Sequence, residues 1–548
     1  MQEENSLNFK PIILSAVVLL FLLFPFFCLQ ILRSSPHSIF TNIEFNYPFF
    51  AFCGLIVSFF AVSTYAKVKD NHKKNFILLL LKSAVIIYAL FILIVTYSRY
   101  ANFISESVDV TYYHSAIWQM SEFRVPYIWD LKVPIWSQHF EPILFFIVPI
   151  YWVIKSAGLI MVIQALVILL GAIPLYLTAK RLLKSRLIGL GIAFAYISFG
   201  GLQYGIEYGF HPIMFFPTFF FWTYYFYIKR NIKFYFLFVL LTLFIKEEVA
   251  FIMLFWSIYL LIAKKEKIFS LGTMGLAIFW YFLCFMLIIP HFNHGEYGYW
   301  GQYEQTGGKG LLGIIGTLFL KPQIFFSNLV TPSFKIDTIF LSFGTFSFLT
   351  FLYPFSLLMV IPSLMIKLLS TDITGVSGTH YSAALTGVIA VATIESVLFL
   401  SKKPFVRRIT SHWNIFLGVL IFYVAFLANA INGYHAYSIY DIFNQKGPSD
   451  ENLQIINEVL NKIPQDATVA TQYQIVPHIY KLDKVWIGPS QNEKADIVIV
   501  DAALKPVLAN KKDIEKNVED LAKNQNYQLM LNNSGVFVFQ RKIKAIDL

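Results

Sequence analysis

Runs of about twenty apolar residues recur along this chain, each long enough to cross a hydrocarbon layer of roughly 30 Å as a helix. Candidate spans occupy 11–32, 47–66, 76–97, 158–180, 187–203, 210–228, 234–246, 249–263, 268–290, 337–353, 355–370, 382–400 and 412–431. Lipid offers no hydrogen-bonding partners, so a spanning segment satisfies its own backbone as a helix or joins a closed barrel. The runs lack the two-residue alternation of barrel strands. The chain therefore reads as an all-α polytopic membrane protein of about thirteen helices. The pair 234–246 and 249–263 reads as two half-depth helices or one broken helix. Of 548 residues only 14% are charged, against roughly 25% in soluble proteins, and the mean hydropathy is +0.61.

The net charge of +11 belongs to short loops between spans, as expected where positive residues stay cytoplasmic, and no nucleic-acid partner is expected. The clusters are Lys67/Lys69/Lys73/Lys74, Lys180/Arg181/Lys184/Arg186, Lys229/Arg230/Lys233, Lys264/Lys265/Lys267 and Lys402/Lys403/Arg407/Arg408. Alternate crossing puts all five on one side. The N-terminus is then cytoplasmic, and the loop 98–157, the loop 291–336 and everything after about 433 face outward, in a multi-pass membrane protein. The apolar stretch 142–155 reads as a juxtamembrane or re-entrant segment, because a full crossing there would invert every later cluster. The first apolar run, too long for a signal-peptide core, reads as a retained anchor. Cys28, Cys53 and Cys284 all lie in apolar runs and build neither a disulfide framework nor a metal site.

Two domains are expected: 1–440, polytopic, with the large outward loop 98–157, and 441–548, a small soluble α/β domain outside the membrane. In the tail, 452–462 and 512–523 read as helices, 467–471 and 497–500 as buried strands, and 527–531 with 536–539 as a hairpin closed by Asn532-Asn533-Ser534-Gly535. It has no Gly-rich phosphate loop and reads as a docking or capping domain.

Charge at membrane depth is costly and usually marks function. Lys246-Glu247-Glu248 interrupts an apolar run from 234 to 261. Two carboxylates beside one Lys invite a cation, a further base or a substrate phosphate. On the same predicted side lie Asp109, at a helix start where it can also act as a cap; His139 and Glu141, just before Pro142; Glu207-Tyr208-Gly209-Phe210-His211-Pro212; and Thr379-His380-Tyr381-Ser382. The loop from His291 holds Glu296, Tyr297, Tyr299, Trp300, Tyr303 and Glu304 before Gly307-Gly308-Lys309-Gly310, a composition that suits a mobile lid over a sugar or lipid head group and equally a floppy interfacial loop. No Walker loop, HExxH or GxSxG is present.

These residues resemble a known family. Asp109 with the aromatic, Gln119-bearing helix after it, His139-Phe140-Glu141-Pro142-Ile143 with Pro149 and Tyr151, Phe210-His211-Pro212, Lys246-Glu247-Glu248, His380-Tyr381-Ser382, and the tail from Ile463-Pro464 to Val476-Pro477-His478 look like the membrane proteins grouped as domain of unknown function 2079. The likeness runs from roughly 95 to 505. That architecture is similar to the GT-C glycosyltransferases, which place an acidic residue in the first large outward loop and use polyprenyl-phosphate sugars. The resemblance implies Asp109 as the catalytic acidic position, with His139 and Glu141 beside it. On the residue reading His211, Lys246, Glu247, Glu248, His380 and Tyr381 are expected to bind substrate, with membrane lipid and a polyprenyl-phosphate sugar as the partners the resemblance implies. The nearest acid to Asp109 is Glu106, a spacing that leaves any metal unassigned; a divalent cation is one candidate completion of the site.

In such a reaction Asp109 would take the acceptor proton, His139 would orient it or help the leaving phosphate, and Lys246 would meet that phosphate with Glu247 or Glu248 holding it. The alternatives are a secondary transporter or flippase of an envelope precursor and a non-enzymatic envelope scaffold. The hydropathy shows no inverted repeat, the polar residues gather at one surface rather than the midplane, and a scaffold leaves Lys246-Glu247-Glu248 unexplained. The transferase reading expects Asp109, His139, Glu247 and His380 on one cavity.

Overall fold

A computed structural model describes residues 43–67, 71–104, 108–129, 131–295, 297–306, 310–332, 334–370, 379–404, 412–431, 449–464, 466–479, 485–488, 495–504 and 511–542. The run 11–32, Cys28, Glu106, Glu296, the glycines 307–308 and the linker to the tail lie outside them.

Leucine-, isoleucine- and phenylalanine-rich runs form the helices. Among the described residues five are long and apolar enough to cross a membrane: Asn75–Ala101, Ala157–Leu183, Lys267–Asn293, His380–Ser401 and Trp413–Ala430. A sixth is the pair Arg186–Ile197 and Gly200–Tyr208, bent by 41°. The predicted 234–246 and 249–263 are two separate helices, Ile232–Leu243 and Val249–Ile262, each roughly 20 Å long at 1.5 Å per residue and shorter than the five above. Proline sets other interruptions, because it lacks the amide a continuing helix needs. The predicted spans 337–353 and 355–370 become helices Phe334–Gly344 and Ile361–Leu369 joined by 3₁₀ turns at Leu349–Leu352 and Pro354–Met359.

The helix Ala383–Ser401 runs through the bundle and is buried from Ala383 to Val397. Its small residues admit neighbours closely: a β-carbon on Gly387 would lie 3.1 Å from the Phe216 ring. The chain alternates between two ends. Helix Phe216–Ile228 leaves the His211 turn and reaches Lys229 and Arg230; Ile232–Leu243 returns to Lys246-Glu248; Val249–Ile262 descends again to Lys264 and Lys265. At that basic end Arg230 pairs with Glu266, and Lys264 Nζ meets buried Glu395 at 2.5 Å.

The segment 98–157 builds a helix, Val108–Ser121, a two-residue hairpin, β1 (Tyr127–Ile128) with β2 (Val133–Pro134), and short turns. The apolar stretch 142–155 is a five-residue 3₁₀ turn and a four-residue helix, too short to span. Phe145, Phe146, Trp152 and Val153 are exposed on it.

Toward the C-terminus a five-stranded sheet has the order β4 (Val485–Ile487), β3 (Val469–Thr471), β5 (Ile497–Asp501), β7 (Val536–Arg541), β6 (Tyr527–Asn533). β3 is parallel to both β4 and β5, β7 is antiparallel to β5, and β6–β7 is a hairpin with Gly535 at φ 86°. Helices Asp450–Lys462 and Lys511–Lys523 accompany it. The sheet is tied to the bundle: Phe103 is buried in its core with Ile456, Val469 and Ile497, and His478 is sandwiched between Phe103 and Tyr100 at ring distances of 3.7 and 4.3 Å.

Candidate functional site

The site is built where helices turn at the end opposite the basic loops. Helix Gly200–Tyr208 stops at Gly209, whose φ of 145° is open to glycine and strained for other residues. Gln164, buried in the span Ala157–Leu183, captures the turn. Its amide nitrogen donates to the carbonyls of Gly209 (2.6 Å) and Gly205 (3.2 Å), and its oxygen accepts the His211 backbone N–H at 2.6 Å. Pro212 holds His211 extended. The imidazole consequently meets Asp109 in the first turn of Val108–Ser121, with Nε2 to Oδ2 at 3.1 Å. Behind it lies His380, stacked on His211 at 3.6 Å, and Tyr208 stacks near both. Asp109 keeps 36% of its side chain exposed while His211 keeps 8%, so the acid is the member of the pair open to an incoming group.

A second group centres on Glu247, which is fully buried. Its carboxylate accepts the Phe140 backbone N–H (3.1 Å) and the Tyr297 hydroxyl (2.8 Å), and lies 2.8 Å from His139 Nδ1. His139 stacks on Tyr299, whose hydroxyl donates to Gln138. Lys246 reaches Glu248 at 3.7 Å and lies 5.8 Å above the Tyr381 ring. Glu141 is buried, with the Tyr113 hydroxyl donating to Oε1 at 3.0 Å.

Electrostatics separate the two loop acids. Burial pushes the Asp109 carboxyl up, but the His211 hydrogen bond and the positive charge around it, Lys246 included, leave it below the usual aspartate value. Burial dominates at Glu141; Lys246 pulls against it while Glu247 pushes with it, and the carboxyl is raised to about 8.

All nine predicted site residues gather at this end, in a different pairing from that expected. His211, not His139, holds Asp109, because the Gln164 clamp and Pro212 aim it there. His139 belongs to Glu247. Of the two adjacent acids it is Glu248 that faces Lys246, since Glu247 is occupied by His139, Phe140 and Tyr297. Tyr113 and Gln164 were not among the expected site residues. Both left a trace in sequence: Tyr113 stands four positions after Asp109, on one helix face, and Gln164 is a lone amide in an apolar span.

A cavity of about 330 Å³ opens beside these groups. One end is polar, with His139, Lys246, Glu248 and Tyr381; the rest is aromatic and aliphatic, from Phe251 and Phe285 to Leu318 and Met365. Of the four residues expected on one cavity, His139 is on this wall. Glu247 stands behind it through their bond, and Asp109 and His380 form the neighbouring layer with His211. Among the described residues no group of three or more His, Cys, Asp or Glu side chains converges as metal ligands.

The fold and this site define a polytopic membrane protein with an ionisable cluster at one end of its bundle. The chain belongs to the family described as "Predicted membrane protein (DUF2079)", whose profile matches residues 99–538. No curated protein matches it. Among solved structures it is similar to ArnT from Cupriavidus metallidurans. The match to the undecaprenyl phosphate-bound form has 10% identity, 83% of this chain, 98% of that chain and a TM-score of 0.45. For the apo form the values are 9%, 84%, 98% and 0.47.

Proposed function

We propose that the protein is an integral-membrane glycosyltransferase that takes its sugar from a polyprenyl-phosphate carrier at the extracytoplasmic face. The observation behind this reading is the cavity whose polar end holds Lys246 and Glu248 and whose body is apolar, beside the partly exposed Asp109. Its volume is in the small-molecule range of roughly 300–1,000 Å³, and its two-part lining suits an amphiphile with an anionic head and an isoprenoid tail.

In the proposed reaction Asp109 accepts the proton of an acceptor hydroxyl as that oxygen bonds to the anomeric carbon of the sugar. The bond from that carbon to the phosphate oxygen breaks, and the polyprenyl phosphate leaves with the electron pair toward Lys246, whose charge meets the developing negative charge. The single displacement inverts the anomeric centre. His211 positions Asp109, and Glu247 and Tyr299 fix His139 beside the head group. The charge pattern of the basic loops assigns a cytoplasmic N-terminus and an outward C-terminal domain, here 441–548.

The test is incubation of the purified protein with labelled polyprenyl-phosphate sugars and candidate acceptors. Transfer by the native protein, lost in Asp109→Asn while that variant keeps its thermal unfolding midpoint, is the expected result. Undiminished transfer by Asp109→Asn removes the proposed base.

A further inference from the structure

Glu141 has no step in the reaction above, yet it is 3% exposed at the heart of the site, and among the described residues its Oε2 has no hydrogen-bond partner. It is held in place firmly. The next residue but one, Ile143, donates its backbone N–H to the carbonyl of Phe244 at 2.9 Å, which fastens this loop to the turn bearing Lys246. The groups facing Glu141 are Tyr113 from the helix Val108–Ser121, Lys246, Glu247 and Glu248 from the turn, and Tyr299 from the aromatic loop.

Charge arithmetic makes the arrangement informative. Lys246 already faces Glu248, and Glu247 is met by His139. A third carboxylate would leave the negative charges in excess beside the cation that is to receive an anion. Buried carboxylates normally have partners on both oxygens, and an unpartnered buried oxygen is far less costly on a neutral acid than on an ion.

We propose that Glu141 sets the charge of the donor site: neutral, it leaves Lys246 available to the phosphate head group of a lipid-linked sugar, and ionised, it competes for that lysine and repels the head group. This rests on the lipid-phosphate reading above and adds the residue that controls its anion affinity. The raised Glu141 carboxyl, about 8, places the change within a measurable window. The sign follows directly. Below that value the acid is neutral and affinity is full; as pH rises through it, affinity falls.

The experiment is direct binding of a decaprenyl-phosphoryl hexose, a phosphodiester that does not titrate in this range, to the full-length protein in neutral-lipid nanodiscs. Affinity is measured at about pH 6.5 and about pH 9.5, either side of about 8. The native protein should bind about tenfold more weakly at the higher pH, as for one added like charge in a partly buried site. Glu141→Gln should bind equally at both. Tyr113→Phe gives a second measure. It removes the hydroxyl that stabilises the ionised carboxylate, so the pH of half-loss should move upward, a shift that a purely structural role would not produce. A pH limb identical in the native protein and both variants, or no limb in the native protein, overturns the assignment of Glu141. Absence of binding by the native protein at either pH overturns the lipid-phosphate reading itself.

Discussion

Asp109 and His211 form a pair in which the acid is partly exposed and the imidazole is held from behind. Such a pair gives a base that stays ionised at neutral pH, because the Asp109 carboxyl lies below the usual aspartate value. Transfer should therefore be present through the neutral range and be lost only as pH falls through that depressed value. Replacing His211 with Ala leaves burial unopposed by its partner, so the acid limb of the pH–rate profile should move to higher pH; an unmoved limb would show that His211 does not position the base. Replacing Asp109 with Asn should lower the rate by about a hundredfold or more, the usual scale for losing a general base. From the sequence alone Asp109 is the expected base, but its orientation falls to His139 rather than His211. His211 directly precedes Pro212, whereas His139 stands three residues before Pro142, and it is the Gln164 clamp that turns His211 toward Asp109.

Turns rather than spans carry the chemistry at the level of elements. The Gly200–Tyr208 helix must end abruptly for His211 to reach back, and Gly209 at φ 145° makes that possible. Gly209→Ala should cost about 1–3 kcal/mol of stability, read as a lowered thermal midpoint, and should impair transfer with it. Replacing Gln164 with Leu, close in volume, would strip the side-chain partner from the Gly209 carbonyl and the His211 N–H, while the Gly205 carbonyl keeps the Gly209 N–H. About 1–3 kcal/mol is expected for a buried group so stranded, with the same readout. The predicted spans in 337–370 show the opposite limit. Hydropathy counts apolar residues and cannot see that the backbone turns left-handed at Ser347 and Phe348, or that Pro354 and Pro362 each open a new short turn or helix.

At the scale of the whole molecule, the tail sheet is joined to the loop that bears the site. Phe103, six residues before Asp109, lies in the sheet's core, and His478 stacks on it. Phe103→Ala should cost about 3–5 kcal/mol, as for other large core truncations, and should show as earlier proteolysis of the tail and weaker transfer. Sidedness gives a further check. Single cysteines at exposed positions near Asp109 and Lys264, the two ends of the bundle, should label from opposite faces of intact cells, with the Asp109 end outside; labelling from one face would reject the topology.

Composition and periodicity by themselves determined that the chain is a helical membrane protein. They also placed its ionisable residues at the turns of one end and set out the main elements of the tail, including helices at 452–462 and 512–523 and the 527–539 hairpin. These follow from local physics: lipid excludes unpaired backbone, charge avoids hydrocarbon, and alternation marks a half-buried strand. β4, three residues bounded by polar and glycine-containing segments, gave no such signal. Only the tertiary structure decided that His211 rather than His139 meets Asp109, that Glu248 faces Lys246 while Glu247 turns to His139, and that Glu141 is sealed with one oxygen unpaired. Pairings of this kind join residues up to some hundred positions apart. They depend on how helices pack and where prolines and a glycine turn the chain, and such distances carry no periodicity for a sequence to display.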